Sequence, residues 1–222
     1  MQDSKAHGAV RAGESSSIES PGHDAAESSG DAVRVETYAL LASLLRQAPS
    51  EDLLETLGAI EAPAASSLRP TRLEQAWQSL AAAARAAQPE PLETEFHNLF
   101  IGIGRGELLP YGSYYISGAL MDKPLAALRD ELARLGLQRA EGVSEPEDHA
   151  AAICETMALL ADPEHGLPLA GQNQFFSTHA GVWLPRFFQD LQQADNATFY
   201  ASVGQLGEAF IEFEKVWLDL PE

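Results

Sequence analysis

The sequence has a single cysteine, Cys154, in 222 residues, which excludes an internal disulfide framework and any multi-cysteine zinc or iron–sulfur site. No apolar run approaches the ~20 residues needed to span a bilayer. The N-terminus also lacks the 7–15-residue apolar core of a secretory signal. Basic residues are scarce: 14 Lys and Arg stand against 33 Asp and Glu, a net charge of −19. Phosphate backbones and anionic membrane surfaces repel such a chain, so nucleic-acid and peripheral lipid binding are not expected, and without a spanning run neither is stable membrane insertion. Alternation with period two is missing and β-branched residues are sparse, which argues against sheet. The expectation is a soluble, cytoplasmic protein whose 45% hydrophobic content supports a sizeable core.

The acidity is concentrated. Residues 140–222 hold 14 acids and 2 bases, which reads either as a solvated face or as an attraction for a basic partner. Residues 1–30 are rich in Ser, Gly, Ala and acids, with Val10 and Ile18 their only large aliphatics after Met1. That composition predicts a disordered tail. From Asp31 the pattern changes, and residues 31–222 read as one all-α domain of roughly eight helices.

Val35, Tyr38, Leu41, Ala42 and Leu45 repeat at helical spacing. Ser50 can cap a short second helix running to Ile60. Residues 62–67 read as a loop. Thr71 and Glu74 form a capping box opening a third helix, with Leu73, Ala76, Trp77, Leu80 and Ala84 on its face. Pro89 and Pro91 precede a helix bearing Leu92, Phe96, Leu99 and Phe100. Residues 102–115, with four glycines and Pro110, read as a loop. Further helices are predicted near 122–136, 145–161, 172–192 and 195–216.

Three stretches invite chemistry. Gly102-Ile-Gly-Arg-Gly106 suggests a phosphate loop, but a helix precedes it, the spacing is GxGxG and Pro110 follows; a tight turn is the simpler reading. Glu145-Pro-Glu-Asp-His149 follows Ser144, an N-cap whose box Glu147 completes. On a helix starting there, Glu145, Asp148 and His149 share a face. Helix capping, a partner-binding site and a metal or acid/base site all stay open on spacing alone. Asp148, His149 and His179 are the ligands a metal-dependent bundle enzyme would use, although no Glu has a His three residues later. The aromatics Phe175, Phe176, Trp183, Phe187 and Phe188 read as core.

Phe96-His-Asn-Leu-Phe-Ile-Gly102 with Arg-Gly-Glu-Leu-Leu-Pro-Tyr-Gly-Ser-Tyr-Tyr115 resembles the TorD/DmsD-type redox-enzyme maturation chaperones. Glu145-Pro-Glu-Asp-His149 matches that family's Glu-Pro-x-Asp-His signature in full, and Phe175-Phe-Ser-Thr-His179 through Trp183-Leu-Pro-Arg-Phe187 resembles its late helix. In one departure, Pro185 follows Trp183 where the family pattern places a proline before it. The resemblance spans about residues 33–215. It implies an all-helical fold and a chaperone rather than an enzyme, with no metal or cofactor of its own. It further implies that the chain binds the twin-arginine signal peptide and body of a molybdenum-cofactor oxidoreductase, holding it from export until the cofactor is inserted. By matched position it assigns signal-peptide binding to Phe100, Tyr111, Gly112, Ser113, Glu145, Pro146, Asp148, His149, His179 and Trp183. A mostly monomeric state, with a minor dimer hinged at 102–115, is implied as well.

Overall fold

The computed structural model describes residues 23–60, 71–139 and 143–220, with 23–29 described in backbone only. These residues form ten helices and no β-strand, apart from one isolated antiparallel bridge between Tyr111 and His149. The all-α architecture is therefore as the periodicity predicts. Helix α1, His23–Arg46, begins inside the segment read as a tail; residues 1–22 and the 62–67 loop lie outside the described residues.

Local signals account for the early helices. Ser50 Oγ accepts from Leu53 N–H and opens α2, Glu51–Gly58. The Thr71–Glu74 box is present at the start of α3, Arg72–Ala86, with both reciprocal hydrogen bonds made. Helix α4, Pro89–Phe96, runs on into a π-helical turn, His97–Ile101, closed by Gly102 N–H to the His97 carbonyl at 2.7 Å.

Two differences raise eight helices to ten. The 102–115 stretch contains a short helix, α5, Gly112–Ser117. The single helix predicted over 172–192 is instead two. Helix α8, Leu169–Phe175, ends in a second π-helical turn, Phe176–Ala180, and α9 restarts as Leu184–Gln193. Pro185 has no N–H for a continuing helix but is well suited to the first turn of a new one. Helices α6, Lys123–Arg134, and α7, Ala150–Leu160, precede this pair, and α10, Phe199–Leu218, ends the fold.

Helix α10 lies at the centre, packing along α9 and α3, while α1 packs along α7. Gly204 and Gly207 let α10 approach α9 closely: a Cβ on Gly207 would run into the Phe188 ring. The predicted α1 face is buried at Tyr38, Leu41, Ala42 and Leu45. Two carboxylates from elsewhere hold the α10 end of the fold. Glu95 of α4 accepts from the N–H groups of Thr198, Phe199 and Tyr200 at 2.7–3.2 Å, satisfying donors that a helix start leaves free. Glu107 accepts from Asp195 and Asn196 at 2.6–3.1 Å, anchoring the loop after α4.

Candidate functional site: an acidic-rimmed cleft beside the start of α7

The predicted start of α7 at Glu145 does not form. The helix begins at Ala150 with His149 as N-cap, whose Nδ1 accepts from Ala151 N–H at 3.1 Å. Residues 145–149 instead make a turn that docks on Pro110–Gly112. Gly112 N–H donates to the Asp148 carbonyl at 2.8 Å, and Ala150 N–H donates to the Pro110 carbonyl at 2.8 Å. Asp148 Oδ2 accepts from Ser113 N–H at 2.7 Å. A Ser cap contributes about 1 kcal/mol, whereas each buried N–H left without a partner costs about 1–3 kcal/mol. Gly112 and Ser113 would lose their acceptors, whereas Ala150 N–H would find one in either arrangement, and two such donors outweigh one cap.

This docking sorts the signature residues. Asp148 turns inward and is 3% exposed. Its Oδ2 holds the start of α5, and its Oδ1 is buried without a hydrogen-bond partner. Glu145 and His149 face outward and line a cleft of about 430 Å³. Tyr111 stands beside them, its hydroxyl donating to Glu145 Oε2 at 2.6 Å and its ring set edge-on to His149 at 5.2 Å. Burial and the adjoining Glu145 carboxylate raise the Tyr111 pKa, keeping it a donor.

The cleft floor is apolar. Leu45 from the end of α1, Phe96 and Phe100 from α4 and its π turn, and Leu132 and Leu137 from α6 and the segment after it form most of it. Helix α7 supplies a wall through Ala151, Ala152, Glu155, Thr156 and Leu159, the i, i+4, i+8 stripe of one helical face. Its opposite face, with Ile153, Cys154, Met157 and Leu160, is in the core. Ile101 and Leu159 leave more than half their surface in solvent at the rim. Three carboxylates stand around this floor. Glu145 takes the Tyr111 hydroxyl, Glu147 pairs with Arg129 at 2.8 Å, and Glu155 pairs with Arg46.

Four of the ten residues assigned by resemblance thus lie on the cleft: Phe100, Tyr111, Glu145 and His149. Gly112, Ser113, Pro146 and Asp148 build the turn and strap behind it. His179 and Trp183 lie elsewhere, in the segment joining α8 to α9. Trp183 Nε1–H donates to the His179 carbonyl at 2.7 Å, and the His179 ring packs on Phe175 at 5.0 Å. Sequence reasoning missed Arg46, Glu155 and Leu159, since no local pattern joins the end of α1 to the middle of α7.

Among the described residues, no three His, Cys, Asp or Glu side chains converge as a metal site. Asp148 and His149 are already engaged by Ser113 and Ala151, with His179 on another segment. The 102–106 glycines form a tight turn. Gly102 adopts φ +61°, and a Cβ there would overlap the Arg105 carbonyl.

Comparison with known proteins follows the same blocks. A family model described as nitrate reductase delta subunit matches residues 68–189. The chaperone protein TorD of Vibrio parahaemolyticus is 31% identical over 202 residues, covering 83% of this chain and 94% of that protein. The chain belongs to the TorD family of redox-enzyme maturation chaperones. The Vibrio cholerae O395 TorD chaperone is 35% identical over 137 residues; that alignment covers 58% of this chain and 62% of its relative, less than two thirds. A crystal structure from Archaeoglobus fulgidus, put forward as a redox enzyme maturation protein, shares the fold with a TM-score of 0.54 at 19% identity. It covers 81% of this chain and 93% of its own. The TorD relatives are named as chaperone proteins, and no helix among the described residues is long and apolar enough to cross a membrane.

Burial of His149 in this cleft lowers its pKa to about 4, with Glu145 and Asp148 opposing and Arg46 reinforcing the shift. The unfolded chain, near 6.5, binds the proton more readily. Between pH 6.5 and 4 stability therefore falls as pH falls, and it is complete above 6.5. His149→Asn keeps an N-cap without the titration. The expected result is a shallower loss of unfolding free energy for the variant over that interval, measured by urea titration; equal slopes would reject it.

Proposed function

We propose that the chain binds the twin-arginine leader of a molybdenum-cofactor oxidoreductase in this cleft and holds that enzyme from export until its cofactor is inserted. The observation that carries the reading is the pairing of an apolar floor (Leu45, Phe96, Phe100, Leu132) with the Glu145, Glu147 and Glu155 carboxylates around it. A twin-arginine leader is a dibasic segment followed by a moderately apolar stretch. Carboxylates hold guanidinium groups by charge-assisted, often bidentate hydrogen bonds, and an aromatic-lined groove takes the apolar part. Phe100, Tyr111, Glu145 and His149 are the contacts in this reading. Gly112, Ser113, Pro146, Asp148, His179 and Trp183 are positioning residues. Such an encounter precedes export, so it belongs in the cytoplasm. Residues 31–222 serve as the chaperone unit, mostly monomeric, with a minor dimer hinged at 102–115.

The test is calorimetric titration of a synthetic leader. Binding is expected to weaken as salt rises, because charge attraction is screened within ~8–10 Å at physiological ionic strength. Replacing both leader arginines with glutamine, or Glu145 with Gln, is expected to cost tenfold or more, about 1.5–3 kcal/mol per charged hydrogen bond. An arginine-free leader that binds as well as the native one would overturn the proposal.

A further inference from the structure

Arg46 is the last residue of α1, and its side chain reaches into the cleft to pair with Glu155 on the α7 wall. The pair is 38% and 48% exposed, so it is held loosely enough to exchange without disturbing the core. The same guanidinium is close enough to His149 to act on its charge. The other two cleft carboxylates are engaged differently. Glu145 takes a neutral hydroxyl, and Glu147 is held by Arg129, which does not line the cleft and opens on the neighbouring hollow. Arg139, the other arginine on the cleft wall, donates to the backbone carbonyl of Glu145 at 3.4 Å and adds its charge to that of Arg129 around Glu147. Two cleft carboxylates are thus paired with arginines of the chain's own, and of the two arginines Arg46 is the one that itself lines the cleft.

We infer that Arg46 is an internal competitor: it occupies Glu155 in the free protein, and a ligand arginine must displace it to bind there. This deepens, and rests on, the reading of the cleft as the leader's site. The device sets specificity by exclusion as much as by attraction. A purely apolar segment leaves the Arg46–Glu155 pair intact and gains nothing from either charge beside the floor. A segment bringing its own guanidinium replaces like with like at Glu155, and Arg46 swings into solvent from the last position of its helix.

The experiment titrates the synthetic leader, and its arginine-free version, into wild type, Arg46→Gln, Glu155→Gln and the double variant. Arg46→Gln is expected to bind the native leader about three- to tenfold more tightly, a gain reduced at high salt. Glu155→Gln is expected to bind more weakly than wild type, since it loses the anion and leaves Arg46 unpaired. Most of the Arg46→Gln gain should disappear in the Glu155→Gln background, and the arginine-free leader should gain little from any of these changes. If wild type binds the leader but Arg46→Gln binds it equally or less well, the competitor is disproved while the leader site stands. A gain of the same size in the Glu155→Gln background would reduce Arg46 to a general repulsive charge and overturn the inference as stated. No binding by any of the four proteins would overturn both readings.

Discussion

Replacing Glu214 with Gln is expected to lower the unfolding free energy by about 3–5 kcal/mol, the cost of leaving a buried ion without its partner. Glu214 of α10 and Arg34 of α1 are both fully buried. Arg34 Nε donates to Glu214 Oε1 at 2.6 Å, and one terminal nitrogen donates to Oε2 at 3.0 Å. That nitrogen also donates to Gln172 Oε1 at 2.7 Å, tying α8 to the pair, and the Tyr38 hydroxyl donates to Glu214 Oε2 at 3.0 Å. The guanidinium lies over the Trp217 ring at 5.6 Å. With Glu214 neutralised, Asp31, itself 29% exposed, is the one carboxylate among the described residues still paired with Arg34. At this chain length the loss corresponds to roughly 6–20 °C in Tm. The companion Arg34→Met/Glu214→Leu is expected to recover most of the loss, because removing both charges removes the desolvation cost as well. Urea unfolding of the three proteins decides it: a Glu214→Gln loss under about 1 kcal/mol would mean that the pair is dispensable.

Trp183→Ala is expected to cost about 3–5 kcal/mol, the range for emptying a large aromatic site in a packed core. The indole is 2% exposed, stacks near Tyr115 at 5.6 Å, and donates to the His179 carbonyl. Gly112 lies directly on it, where a Cβ would come within 3.1 Å of Nε1. The ring therefore supports the strap that carries Tyr111 into the cleft, and its loss is expected to weaken leader binding without any direct contact being removed. Trp183→Phe keeps most of the packing but leaves the His179 carbonyl without its donor, an intermediate cost of about 1–3 kcal/mol. Thermal melts of both variants check the order; an Ala variant as stable as the Phe variant would show that packing is not what Trp183 supplies.

The helical class follows from local chain chemistry alone, because helical periods and caps are read within four residues of chain. The Thr71–Glu74 box, the Ser50 cap and the α1 face all follow from such neighbours and all form. Where two local signals competed, distant contacts decided. Ser144–Glu147 is as good a box on paper as Thr71–Glu74, yet the helix starts at Ala150 because Pro110–Ser113 makes three hydrogen bonds with residues 148–150. The same docking sends Asp148 inward and leaves Glu145 and His149 on the cleft, so the signature was legible while its division of labour was not. Arg34 meets Glu214 across 180 residues, and Arg46 meets Glu155 from another helix. Neither pair leaves a local trace, since complementarity between charges on different helices exists only after the helices have packed.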